Sequence, residues 1–345
     1  MGTIRIYHHG DTDGKASGAS VFHLINLDGY EEKKSYCLYN YDMSFDFTGV
    51  EKDDIIFLVD YSLSNVNNIK RLAGLCKDLW QGEEHRHVFW LDHHKTSFDH
   101  INDYPLNKIT SIIDTSMCAT VICYLVGIQM YKTNERNVDK LISCINNARV
   151  ILRQGDSARY IADNDFIKYV DSWDTWKHNM SNSAEFNIGV MSTGYLQDIS
   201  NSNWLQILTN YDFRKDMIER LIINAKHVKE YLSTVNAQQL VEMGYEFTLD
   251  GYNCIMYNGR GNSNTFGDLI NKYDICAMFY FNGETYFYSL YSTKVDTSII
   301  SKRMGGGGHP GASGFQSKEL LFAKGTKFDS IKEIIAKWYF QKVVF

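Results

Sequence analysis

Residues 9 to 14 read His9-Gly10-Asp11-Thr12-Asp13-Gly14, which sets one imidazole and two carboxylates close together on a short stretch of chain. A second group, Asp92-His93-His94, lies further on, and single carboxylates stand at Asp60 and at Asp174 in Ser172-Trp173-Asp174-Thr175-Trp176. Carboxylate oxygens mixed with imidazole nitrogens suit Mn²⁺, Mg²⁺, Fe²⁺ or Co²⁺ better than an ion that prefers thiolates. Two such ions ~3.5–4 Å apart can share one carboxylate and stabilise both the entering and the leaving oxygen of a phosphoryl displacement. Each element also has a plain alternative. Asp11-x-Asp13-Gly14 could open a calcium loop, but the twelfth position of a loop starting at Asp11 is Phe22, which offers no bidentate oxygen. Asp60 could be the N-cap of a helix, and Asp-His-His a strand-to-loop cap. What favours the metal reading is that each group recurs just past a predicted strand.

The run Gly305-Gly306-Gly307-Gly308-His309-Pro310-Gly311 has its own physics. Glycines let backbone N–H groups come close to an anion and adopt positive φ. His309 can hydrogen-bond a phosphate oxygen. No Gly-Lys-Ser/Thr follows, so this is not a nucleotide-binding P-loop.

The elements that must position these residues alternate between strand and helix over the first hundred residues. Thr3–His8, Asp54–Asp60 and His87–Leu91 read as buried strands, Ser35–Tyr39 as a further strand, and Ala16–Leu27 and Asn65–Trp80 as helices. Continuous rather than alternating hydrophobicity suits a parallel sheet covered on both faces. The expectation is an α/β fold, a doubly wound parallel sheet in the N-terminal domain with a smaller α/β C-terminal domain. Ligands bind such sheets at the carboxyl edge of the strands, where the acidic groups fall. Helices are expected at Ser116–Tyr131, Asn137–Ile151 and around Asn164–Ser172. Residues 212–239 read as a long charged helix, and aromatic strands follow at Cys254–Tyr257, Cys276–Phe281 and Thr285–Tyr291, with a closing helix near Ile331–Val343. Domains are accordingly placed at 1–200, with a helical connector at 201–240 and a substrate-binding domain at 241–345.

Composition narrows the partners. The 345 residues carry a net charge of −6, which argues against coating long duplex nucleic acid through a broad basic face. Residues 241–345 hold 11 basic and 10 acidic side chains, leaving −7 on residues 1–240, where a carboxylate-rich metal site would put it. The seven cysteines are scattered and form no C-x-x-C pair, as expected of core thiols in a reducing compartment. No apolar run approaches the ~20 residues that span a bilayer, and the start lacks a signal peptide's pattern. The expected location is the cytoplasm, without membrane attachment.

Taken together the motifs resemble the DHH phosphoesterases, and within them the group with a C-terminal DHH-associated domain that includes nanoRNases and nucleotide 3′-phosphatases. HHGDTDGKASGA (8–19), LVDYS (58–62), LDHHKTS (91–97), DTSMCATVICY (114–124), DSWDTW (171–176) and VDTSIISKRMGGGGHPGASGF (295–315) stand in the family's order. The resemblance implies one metal bound by His9, Asp11 and bridging Asp60, and a second by Asp13, Asp60, His93 and Asp174, with Asp171 as the competitor to Asp174. It implies two Mn²⁺ ions, with Mg²⁺ or Co²⁺ as substitutes. Asp92 would orient a neighbouring histidine, and His94 would face the scissile phosphate, so that Asp60, Asp92 and His94 form the catalytic set. Gly306, Gly307, Gly308 and His309 would bind the far end of the substrate. Family members often carry Arg where this chain has Tyr291; Tyr291 could stack on a base instead, and Lys302 or Arg303 could supply positive charge. A homodimer is a family-level expectation.

The function expected is hydrolysis of phosphodiester or terminal phosphate bonds in short oligonucleotides, linear or cyclic dinucleotides, or a nucleotide bisphosphate. The alternative is a nucleotide-binding sensor of the same fold without turnover, which would be expected to lack a metal ligand; none is missing in the sequence.

Overall fold

The computed structural model describes residues 1–39, 43–63 and 65–322. The chain divides into two compact units, Met1–Lys226 and His227–Phe345. The helix expected near Ile331–Val343 lies outside the described residues.

The first unit is built on five strands, β1 (Thr3–His9), β2 (Glu32–Leu38), β3 (Ile55–Val59), β4 (Val88–Asp92) and β5 (Thr110–Ile113). They form one sheet in the order β2-β1-β3-β4-β5, with every pairing parallel. The helices are α1 (Thr12–Leu24), α2 (Val66–Leu79), α3 (Glu84–His87), α4 (Ala119–Tyr131), α5 (Val138–Arg153), α6 (Ser157–Tyr160), α7 (Asp165–Asp174), α8 (Ser183–Ser192) and α9 (Asn203–Thr209). Because successive side chains on a strand point to opposite faces, β3 serves two cores. Ile55, Phe57 and Val59 pack with residues of α1 and α4, while Ile56 and Leu58 pack with Leu72, Cys76 and Trp80. Both faces are therefore covered, which is why β3 is apolar without a break. The strand order reverses between β1 and β3, and a crevice opens at the carboxyl edge of such a reversal.

Two elements depart from the sequence expectation. Helix α1 begins at Thr12 rather than Ala16, because Asp11 caps it: its Oδ1 accepts the Gly14 N–H at 2.9 Å. Gly14 belongs to the helix, and a Cβ there would lie 2.3 Å from the His9 carbonyl oxygen. Strand β2 starts at Glu32, and its exposed EKKSYCL pattern is that of a solvent-facing edge.

Helix α10 (Tyr211–Met243) runs past the boundary between the units in sequence. The second unit holds β6 (Gly244–Leu249), β7 (Tyr252–Asn258), β8 (Ile275–Phe281), β9 (Tyr286–Tyr291), β10 (Gly307–His309) and β11 (Ala312–Ser317), with short helices α11 (Leu269–Lys272) and α12 (Thr297–Arg303). Their order is β10-β11-β9-β8-β7-β6, antiparallel except for the β7–β8 pair. Ala277, Phe279, Tyr288 and Leu290 face one core with Ile300 of α12; Ile255, Tyr257 and Met278 face another with Phe266 and Tyr273. The α/β architecture is thus a parallel sheet wound on both faces and, in the second unit, a mixed sheet. All seven cysteines are free thiols. Among the described residues no helix is long and apolar enough to cross a membrane.

Candidate metal centre

The carboxyl ends of β1, β3 and β4 deliver His9, Asp60 and Asp92-His93-His94 to one edge of the parallel sheet. Asp11 and Asp13 follow β1 at the start of α1, and Asp174 is the last residue of α7. Folding brings these eight side chains together. His9 Nδ1 lies 2.9 Å from Asp11 Oδ2 and 4.0 Å from Asp60 Oδ2. His93 Nε2 lies 3.2 Å from Asp60 Oδ1, 3.2 Å from Asp174 Oδ2 and 3.5 Å from Asp13 Oδ2. The ligand atoms fall into sets that could each hold an ion: His9, Asp11 and Asp60; Asp13, His93 and Asp174; and Asp60, Asp92 and His94.

Backbone amides and neighbouring side chains fix the ligands. Asp13 Oδ2 accepts the N–H of Ala119 at 2.9 Å and its Oδ1 the N–H of Thr120 at 2.8 Å, so the first turn of α4 holds this carboxylate. The positive end of that helix favours the charge. Asp92 is fully buried; His94 Nδ1 lies 2.7 Å from its Oδ1, and the Ser97 hydroxyl donates to its Oδ2. With Nδ1 turned to Asp92, Nε2 is the atom His94 offers to a ligand. Ser97 lies inside the LDHHKTS motif, yet no role for it was readable there.

The electrostatics divide the carboxylates. Burial raises the Asp60 carboxyl well above the usual range, and the charges of Asp13, Asp11, Asp174 and Asp92 push the same way. Asp174 is also raised, by burial first and then by Asp13 and Asp11. For Asp11 and Asp92 burial works upward too, but it is outweighed. His9 and the Gly14 N–H hold Asp11 below the usual range, and His94, His93 and Ser97 do the same for Asp92. Among the described residues neither oxygen of Asp60 accepts a hydrogen bond, nor does Asp174 Oδ2. Buried acceptors left without donors are what a bound cation would satisfy.

Asp171 points elsewhere. Its Oδ1 accepts the Cys118 N–H at 2.9 Å and its Oδ2 the Lys177 ammonium at 2.7 Å, while Asp174 is the one set against His93.

The remaining sequence candidates lie in the second unit. Gly307, Gly308 and His309 form β10, which pairs with Ala312–Gly314 of β11. A Cβ on Gly306 would meet the Gly314 carbonyl oxygen at 2.0 Å, and Gly308 has φ 130°, so neither position accepts a side chain. Tyr291 is half-buried and packs near Phe266, ring centroids 6.2 Å apart, against the core of Ile255, Tyr257 and Met278. Arg303 Nη1 lies 3.7 Å from Asp250 Oδ2.

Compared with models of protein families and with curated proteins, the chain matches none. Among solved structures it is similar to the DHH domain of a member of the s1p family of ribosomal proteins, 11% identical over 100% of this chain and 87% of that one, with a TM-score of 0.48. It is similar to the exonuclease RecJ bound to manganese, 13% identical over 99% of this chain and 90% of that one, TM-score 0.47. It is also similar to PggH from Vibrio cholerae, a pGpG-specific phosphodiesterase, 12% identical over 99% and 98% of the two chains, TM-score 0.42. These are distant likenesses, and the chemistry of this chain is carried by its own residues.

Proposed function

We propose that the chain is a metal-dependent phosphoester hydrolase of the DHH kind that acts on short nucleotides. One observation carries the reading. The buried Asp60 carboxylate borders both candidate donor sets, with Oδ1 at 3.2 Å from His93 and Oδ2 at 4.0 Å from His9, and among the described residues accepts no hydrogen bond on either oxygen. A carboxylate with both oxygens so placed supports the reading of one shared between two ions.

His9, Asp11 and Asp60 would hold one divalent ion, and Asp13, Asp60, His93 and Asp174 the other. An oxygen and imidazole donor set suits Mn²⁺, with Mg²⁺ or Co²⁺ able to replace it. Ions held there would supply positive charge to polarise a phosphoryl group. Asp92 fixes the His94 ring so that Nε2 can donate to a phosphate oxygen. Without cations this edge would repel a phosphate, since Asp11, Asp13, Asp60, Asp92 and Asp174 all stand there. The overall charge of −6 favours short substrates over long polyanions: oligonucleotides of a few residues, dinucleotides, or a nucleotide bisphosphate. That His309 and the backbone of Gly306–Gly308 contact nucleotide belongs to the same proposal.

The test incubates the protein with Mn²⁺ and a panel of 5′-labelled dinucleotide, longer oligonucleotides, cyclic dinucleotides and adenosine bisphosphate. Release of nucleotide or phosphate by the wild type is expected, with a loss of at least about a thousandfold in Asp60→Ala and His93→Ala. No release with Mn²⁺, Mg²⁺ or Co²⁺ would refute the hydrolase reading and favour a nucleotide-binding sensor.

A further inference from the structure

We infer that Tyr39 is a specificity-determining residue of this site, a platform on which one nucleobase of the substrate stacks; the inference rests on the phosphoester reading above. Gly10 separates His9 from Asp11, two of the residues placed on one ion, yet it does not occupy the left-handed region, so backbone freedom is not what the glycine supplies. A Cβ at Gly10 would lie 2.5 Å from Tyr39 Cδ1 and 3.3 Å from Cys37 Sγ. The missing side chain makes room for a ring. The parallel register explains the meeting: His9 pairs with Leu38, so the next residue of each strand's path is Gly10 on one side and Tyr39 on the other.

The ring leans one edge on the backbone between two candidate ligands and keeps 65% of its surface exposed. The Tyr39 N–H donates to Met43 Sδ at 3.2 Å, which ties down the backbone that carries the ring. A tyrosine placed only for packing would be covered; this one is held in place and left open. The glycine it leans on lies between His9 and Asp11, so a neutral π-face stands beside the acidic edge and offers a base a surface without adding charge. Stacking of this kind accepts any base, because every base has a π-face. The ligand class is therefore a nucleotide whose phosphate sits at the carboxylate cluster and whose base, on one side of that phosphate, covers Tyr39.

The experiment uses the full chain with Mn²⁺, adenylyl-adenosine, and two analogues in which one base or the other is replaced by hydrogen. Kinetics and calorimetric binding are measured for the wild type, Tyr39→Ala and Tyr39→Phe. For the intact dinucleotide, Tyr39→Ala is expected to raise KM about tenfold with kcat within about twofold, and Tyr39→Phe to restore the wild-type value. For one of the two analogues, the wild type and Tyr39→Ala should behave alike. An equal loss on all three ligands would overturn the inference, because it marks a structural role. So would a wild type indifferent to the loss of either base. If no ligand is turned over, the hydrolase reading fails and calorimetry still decides: a tenfold weaker binding of the dinucleotide to Tyr39→Ala sustains the platform, and unchanged or undetectable binding refutes it.

Discussion

Asp60 adopts φ 50°, a left-handed conformation that a residue with a Cβ seldom takes. Holding it there costs on the order of 1–3 kcal/mol and requires that the surroundings fix it. Its N–H is tied to the Leu91 carbonyl at 3.0 Å, which turns the chain sharply at the end of β3 and aims the carboxylate across to His93. The strain thus sits at the residue that borders both candidate donor sets. His8, one residue before the cluster, is the opposite case of a titratable group kept out of the chemistry. It is 2% exposed, its Nδ1 lies 2.8 Å from the His9 carbonyl oxygen, and burial lowers its pKa to about 4. An unfolded imidazole titrates near ~6.5, so between that value and about 4 the folded chain binds fewer protons than the unfolded one. Stability contributed by the neutral ring is therefore present above this window and lost as pH falls through it, by on the order of 3 kcal/mol. Urea unfolding in EDTA at a series of pH values from 7 to 4 should show this loss, and His8→Phe should flatten the slope. An acid limb of the same steepness in the variant would show that His8 is not its source.

The β1–α1 connection is the element that makes the site, and its tolerance is narrow. Gly14 Cα faces the end of β1, and a Cβ would stand 2.3 Å from the His9 carbonyl oxygen and 2.7 Å from His9 Cα, both backbone atoms that cannot swing aside. Gly18, one turn later, would bring its Cβ 3.1 Å from the His8 ring and from Ile199 Cδ1, where side chains can give by a few tenths of an ångström. Gly14→Ala is expected to destabilise by about 3 kcal/mol and Gly18→Ala by roughly 1 kcal/mol, read as shifts in the urea midpoint at constant slope. Equal midpoints for the two variants would mean that α1 can slide away from β1. This connection also marks the limit of sequence reading. Strands β3 and β4 were legible because each is buried on both faces and so apolar throughout. β5 was missed because Thr110–Ile113 is a short edge with half-buried side chains, and α8 because it is buried on most sides and shows no polar stripe. The candidate site was legible where acidic and imidazole side chains lie next to each other in sequence after a strand, as in Asp92-His93-His94. It was not legible for Ser97 against Asp92, Tyr39 against Gly10, or the α4 amides that hold Asp13. Those partners meet only through sheet order and helix packing, which no local pattern encodes. The choice between Asp171 and Asp174 was open for the same reason, since it depends on where Lys177 and the Cys118 N–H sit.

At the scale of the whole molecule, folding of the first unit brings the buried Asp13, Asp60 and Asp92 and the half-buried Asp174 into one neighbourhood, and burial first, then mutual repulsion, raises the Asp60 and Asp174 carboxyls. A group raised on folding contributes stability that is complete at low pH and lost as pH rises through its folded value. Near pH 8 the metal-free protein therefore carries an electrostatic penalty that cations would remove. An ion that binds only the folded state at a hundred times its dissociation constant adds ~2.7 kcal/mol per site. Melting followed by calorimetry should show a transition in EDTA that moves up by several degrees with Mn²⁺ and keeps moving with its concentration. With two compact units the thermogram need not be a single transition, so the shift is to be sought in the one assigned to Met1–Lys226. Asp60→Asn keeps the shape of the side chain and deletes the charge. In EDTA at pH 8 it should melt above the wild type, and in Mn²⁺ it should gain little, because both donor sets lose their shared carboxylate. A variant that melts below the wild type in EDTA and still gains as much from Mn²⁺ would show that Asp60 is structural and that the ions, if bound, lie elsewhere.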